Sequence, residues 1–153
     1  MTPILNVLVV LTTFFFMEFV AWFTHKYIMH GFLWYLHKDH HQGKEGFFEK
    51  NDTFFLIFAI PSMYCIFTGI AKQDIRLYIG IGIALYGIAY FVVHDIIIHQ
   101  RFKILSRWNN RYIVGIRKAH KIHHKHLDKE NGENFGMLIV PMKYFKKKYE
   151  EKV

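Results

Sequence analysis

A chain of 153 residues with a net charge of +8 is 52% hydrophobic and 18% aromatic. That combination is awkward for a soluble domain and ordinary for one small membrane domain, residues 1–153, with basic flanks. The single cysteine, Cys65, excludes an internal disulfide framework and thiolate metal sites. It reads as an inert thiol in an apolar stretch.

The first apolar run, 3–23, is long enough to cross a bilayer, which takes roughly 20 helical residues. It has no basic n-region, and no small-residue cleavage site follows it, so it reads as a retained membrane helix rather than a leader. Two more spans are expected at 53–71, with Pro61 inside, and at 77–93. Gly80, Gly82 and Gly87 in the last would allow close helix contact, as is common in membranes. The link between these spans is very short and makes them a hairpin. The fold class is therefore an all-α integral membrane protein with three spanning helices. A broken or re-entrant segment near 31–36 would make a fourth.

Lysine and arginine set the orientation. The N-terminus has none, 72–76 has two, 24–52 has four and 101–153 has fourteen. With three spans the last two segments share a face, which the positive-inside rule makes cytoplasmic, leaving the N-terminus outside. Residues 102–116 mix Arg107, Arg111 and Lys103 with Leu105, Trp108 and Tyr112. They read as a basic amphipathic helix lying on the anionic leaflet. The charged tail from Lys143 reads as a solvated or lipid-attracted end, and the spans argue against a nucleic-acid partner.

All eleven histidines fall on the basic face, and ten of them form two repeated patterns. His25 and His30 precede His37, His40 and His41. His94 and His99 precede His120, His123 and His124. At i, i+3 and i+4 on a helix, the members of each triplet can point the same way. The i, i+5 pairs fit an ideal helix less well, and a local change of pitch or a helix end would be needed to bring them together. Neutral imidazole is a ligand for iron, zinc, copper or nickel. One metal takes about four to six ligands, so ten imidazoles suit two metals, with a few positions left for water or dioxygen. His126 fits neither pattern.

Three carboxylates stand near these histidines: Asp39 inside the first cluster, Asp95 beside His94, and Glu18 within the first span, seven residues before His25. Any of them could accept a hydrogen bond from a ligand's second nitrogen. Glu18 is the most pointed, since a charge inside a span is costly and usually functional.

The stretches MEFVAWFTHKYIMHG, HKDHH, HDIIIHQRF, RKAHKIHHKH and ENFGMLIVP together resemble the bacterial β-carotene hydroxylases of the membrane fatty acid hydroxylase superfamily, over about 17–141. The resemblance implies a non-haem di-iron monooxygenase in the bacterial cytoplasmic membrane. Its ligands would be His25, His30, His37, His40, His41, His94, His99, His120, His123 and His124. It implies dioxygen as co-substrate, electrons from a ferredoxin or similar donor, and a carotenoid drawn from the lipid phase and hydroxylated at C3 of its β-ionone ring. Zinc can replace iron at a site of this type. Chemistry on an unactivated C–H agrees, because side chains cannot supply the oxidant. Trp22, Phe23, Trp34, Tyr35 and Phe91 are candidates to line an access cleft.

Two other readings are carried forward. An acyl or sterol hydroxylase or desaturase of the same superfamily would use the same histidines. A membrane metal transporter would place its ionisable groups near mid-span, and here they gather at span ends.

Overall fold

The computed structural model describes residues 2–42 and 46–146, so the charged tail from 147 onward lies outside the described residues. Helix α1 (Pro3–Phe23) starts where the Thr2 hydroxyl accepts the Leu5 N–H and Pro3 takes the first helical position, which needs no donor. It continues without a cap into a π-helix, Thr24–Phe32, which breaks at Gly31 (φ −114°, ψ −126°). Short α2 (Trp34–Gln42) follows, then a single 3₁₀ turn, Lys50–Asp52. Next come α3 (Thr53–Lys72) and α4 (Arg76–Tyr90), the latter again extended by a π-helix, Phe91–Ile98. Helix α5 (Arg111–Lys125) and a 3₁₀ turn, Met142–Phe145, are the last elements among the described residues.

Among the described residues, three continuous helical stretches are long and apolar enough to cross a membrane: Pro3–Phe32, Lys50–Lys72 and Arg76–Ile98. The expected spans are all present, and the first and third run further than their hydropathy implied because the π-helices prolong them. Helix α4 packs against both α1 and α3. Two glycines permit this. A Cβ on Gly80 would sit 2.8 Å from the Ser62 carbonyl of α3, and one on Gly82 would sit 2.6 Å from Thr13 of α1. The Ser62 hydroxyl donates to the Gly80 carbonyl at the same crossing (2.8 Å). Gly87, the third expected contact glycine, faces open space. The α3–α4 hairpin closes through Gln73 in the left-handed region (φ 52°).

The amphipathic helix expected at 102–116 is corrected. Residues 101–110 are turns, and the helix starts only at Arg111, where the Asn110 side chain accepts the Ile113 N–H (2.9 Å). Lys103, Arg107 and Arg111 are exposed, whereas Arg101 and Arg117 on either side of the stretch are half-buried. Arg117 donates to the carbonyls of Ile97 and Leu105 (2.8 and 3.3 Å), lacing the turn segment to the helices. The buried stripe of α5 runs Ile113, Ile116, Ala119, His120, His123, so its apolar anchor and its histidines occupy one face.

Candidate metal centre

His25 and His30 lie within the first π-helix, His94 lies within the second, and His99 is the residue that caps it. A π-helix closes its hydrogen bonds from i to i+5, as the His99 N–H to His94 carbonyl bond does (2.9 Å). Residues five apart are thereby stacked one turn above each other. A change of pitch is thus what brings the i, i+5 pairs together.

The triplets behave differently from expectation. On a helix, i+3 and i+4 are separated by about 100°, so a triplet cannot aim all three rings at one point. In α2, His37 and His41 turn one way and His40 the other. In α5, His123 turns away from the pair His120 and His124. The result is two groups of ring nitrogens. His25, His30, His37, His41 and His123 form one; His40, His94, His99 and His120 form the second, and within each group the nitrogens lie within 4.8 Å of one another. His124 completes the pattern: its Nε2 is 2.9 Å from that of His120, while its ring stacks on His41 at 4.2 Å between centroids. Each group thus takes one π-helical pair, one i, i+4 pair and one histidine crossing from the opposite triplet. His126 is exposed and belongs to neither group.

Hydrogen bonding fixes the tautomers. In the first group Nδ1 of His25, His30 and His123 donates to the carbonyls of Phe135 (3.0 Å), Leu127 (2.8 Å) and Glu133 (3.1 Å). His37 Nδ1 donates to Asn51 Oδ1 (2.7 Å). A carbonyl can only accept, so these Nδ1 atoms carry the proton and Nε2 is a bare lone pair in the neutral ring. In the second group His40 Nδ1 meets the Glu49 carboxylate at 2.8 Å, and His94 Nδ1 meets Asp95 at a longer 3.4 Å.

The lone pairs then face each other. His25 and His37 bring Nε2 atoms to 3.0 Å, and His30 and His123 to 3.3 Å. With both protons held elsewhere, these pairs repel unless a cation lies between them. Nitrogens each about 2.1 Å from one shared ion and at right angles to each other stand roughly 3 Å apart, which fits. Nε2 of His40 and of His94 is buried with no hydrogen-bond partner, as a ligand atom would be. The donor set therefore suits two transition-metal ions.

Burial, reinforced by the other imidazoles, pushes His37 and His123 down to about 2 and His124 to about 4. Burial likewise depresses His40, His41, His99 and His120. All stay neutral at pH 7, the form that binds metal.

Of the three carboxylates singled out, Asp95 reaches a histidine. Asp39 instead accepts the Lys50 N–H (2.8 Å), holding the turn that carries Glu49 and Asn51. Glu18 touches no histidine: its oxygens accept the Tyr86 hydroxyl and three backbone N–H groups. Sequence reasoning missed Glu49, Asn51, Phe135 and Arg101. Arg101 ties Asp52 to Asp95 (both 2.8 Å). ENFGMLIVP, which contains Phe135, and HDIIIHQRF, which contains Arg101, gave a signal, and that through resemblance rather than spacing.

Two openings reach the centre. A cavity of about 10 Å³, the size of one water, touches His25 of the first group, His94 and His120 of the second, and Tyr90. A wider groove of about 430 Å³ opens on His30 and is lined by Trp34, Leu127 and Asp128. Of the aromatic residues expected at an access cleft, Trp34 is in this groove, while Phe23, Tyr35 and Phe91 are largely exposed.

Comparison with known proteins agrees with this architecture. The fatty acid hydroxylase family model matches residues 10–145. A β-carotene hydroxylase of Pantoea ananas is 38% identical over 89% of this chain and 78% of its own length. The Pseudescherichia vulneris protein of the same name is 38% identical over 90% and 78%. That of a Paracoccus species is 34% identical over 89% and 85%. No solved structure matches the chain significantly.

Proposed function

The chain belongs to the fatty acid hydroxylase family, and we propose that it is a β-carotene 3-hydroxylase of the bacterial cytoplasmic membrane. The observation that carries the metal-dependent part is the convergence of Nε2 lone pairs into two groups while Nδ1 protons are held outside them. The substrate is supported by the similarity to bacterial β-carotene hydroxylases over most of the chain.

The reaction takes one ring C–H, one dioxygen, two electrons and two protons, and gives a C–OH and one water. Applied to each ring in turn, it converts β-carotene to β-cryptoxanthin and then zeaxanthin. Two iron ions, when bound, supply the dioxygen redox chemistry that side chains lack. His25, His30, His37, His41 and His123 would hold one, and His40, His94, His99, His120 and His124 the other. The chain's own part is to fix these ligands, keep them neutral and exclude water. Ile98, Ile116 and Met137 make part of the lining of the water-sized cavity shared by both groups apolar. The excess of lysine and arginine beyond the span ends supports a cytoplasmic centre, within reach of a ferredoxin or similar reductant.

The test is expression in bacteria that accumulate β-carotene, beside a His40→Ala, His123→Ala double variant that opens both groups. Zeaxanthin and cryptoxanthin from the parent alone are expected. Unchanged β-carotene, with the protein in the membrane and a competent reductant supplied, overturns the substrate and directs the search to acyl chains or sterols.

A further inference from the structure

Glu18 is 5% exposed and lies in the first membrane-spanning stretch. A carboxylate there is expensive to bury unless its acceptors are filled. Here they are filled by four donors, none of them a histidine. Oε2 accepts the Tyr86 hydroxyl of α4 (2.7 Å). Oε1 alone accepts three consecutive backbone N–H groups, those of Met137 (2.9 Å), Leu138 (2.8 Å) and Ile139 (3.0 Å). Successive N–H groups converging on one oxygen form an anion-binding nest. Gly136 fits the same arrangement, since a Cβ there would stand 2.8 Å from Oε1.

The strand of backbone that ends in this nest begins by holding the first histidine group. Leu127, Glu133 and Phe135 give their carbonyls to His30, His123 and His25. The Phe135 ring lies against the same three imidazoles, at 5.0–5.6 Å between centroids. Asn134, between the last two carbonyls, is in the left-handed region (φ 62°), so the segment adopts a shape that needs holding.

We infer that Glu18 is a positioning residue for the first metal group. It clamps 137–139 against α1 and so fixes the Glu133 and Phe135 carbonyls that hold His123 and His25 in the ligand tautomer. The second group, whose Nδ1 partners are Glu49 and Asp95, does not depend on the clamp. A glutamine at 18 keeps the size but removes the charge on which the three N–H groups converge, and its amide nitrogen makes the Tyr86 hydroxyl turn to accept.

This inference rests on the two-metal reading, and one experiment separates the two. The full chain in detergent is loaded with Fe(II), and iron is followed as a chelator removes it. The parent should show two ions and two release phases, one abolished by His25→Ala and the other by His99→Ala. A parent that binds no pair of ions refutes the two-metal reading itself, and the clamp with it. Given a pair, Glu18→Gln should accelerate the His25-dependent phase about 10-fold or more, as loss of outer ligand support does, and leave the other unchanged. The effect should persist in a His99→Ala background. Tyr86→Phe, which removes only the Oε2 donor, should have the smaller effect. Equal acceleration of both phases, no acceleration, or an equal effect of Tyr86→Phe overturns the clamp. Should Glu18→Gln fail to fold, Gly136→Ala decides on the same readout: selective acceleration of the His25-dependent phase supports the clamp, and parent behaviour overturns it.

Discussion

The two histidine groups have the same composition and different surroundings. The first is gripped by neutral acceptors: three backbone carbonyls from 127–135 and the Asn51 side chain. The second is gripped by carboxylates, Glu49 on His40 and Asp95 near His94, which Arg101 and Asp52 join into one charged network. An imidazole that donates to a carboxylate is a stronger base toward its metal than one that donates to a carbonyl. On the two-metal reading, the repeated motifs would give two sites of unequal electron richness. The cation among His40, His94, His99 and His120 should be held more tightly and be harder to reduce.

The largest test of that contrast is Arg101→Ala. Arg101 is mostly buried, and its removal leaves Asp52 and Asp95 facing each other without their shared cation. Breaking a partly buried pair of this kind should cost about 2–3 kcal/mol. Thermal unfolding in detergent should show the loss. Iron release from the second group should accelerate, while the His25-dependent phase keeps its rate. Loss confined to the first group would contradict the assignment of this network.

Glu49→Gln and Asn51→Asp come next, and together they should move the two sites toward each other. Glu49→Gln takes the carboxylate from His40, and about a 10-fold loss of affinity at the second group is expected. Asn51→Asp gives His37 a carboxylate and should tighten the first. Competitive metal titration of both variants and their combination reads this out. If the two affinities are alike in the parent and unmoved in the variants, outer charge does not distinguish the sites.

This contrast explains what could be read in advance. The spans, the hairpin and the ten clustered histidines were legible because hydropathy and spacing are local properties of the chain. The i, i+5 pairs signalled a change of pitch or a helix end, and the π-helices supply the first. The division of each triplet was not legible. His40 and His41 are neighbours in sequence and still serve opposite groups, and which way a triplet splits depends on where the facing helix stands. Backbone carbonyls leave no chemical mark in a sequence, so the partners of His25 and His123 were signalled only by the resemblance of ENFGMLIVP and that of His30 not at all. Residues 101–110 misled for a related reason. Their mixture of basic and apolar residues imitates a surface helix, but Arg101 and Arg117 spend their charge on buried carboxylates and carbonyls.

The smallest effect tests how far α5 is preassembled. Asn110 caps the helix by accepting the Ile113 N–H, and Ile113 starts the buried stripe that ends in His120 and His123. Asn110→Ala should cost about 1 kcal/mol, the usual worth of a cap. The histidines sit at the other end of the helix, two to four turns away, and α5 is anchored between by Ile116, which is 1% exposed. Fraying of the first turn should therefore stop at that anchor. The variant should unfold at a slightly lower temperature and release iron in both phases at the parent's rate. Faster release from both groups would mean that the helix transmits strain along its length. Since α5 contributes to both groups, it is the element whose displacement disturbs them equally, unlike Arg101, which acts on one.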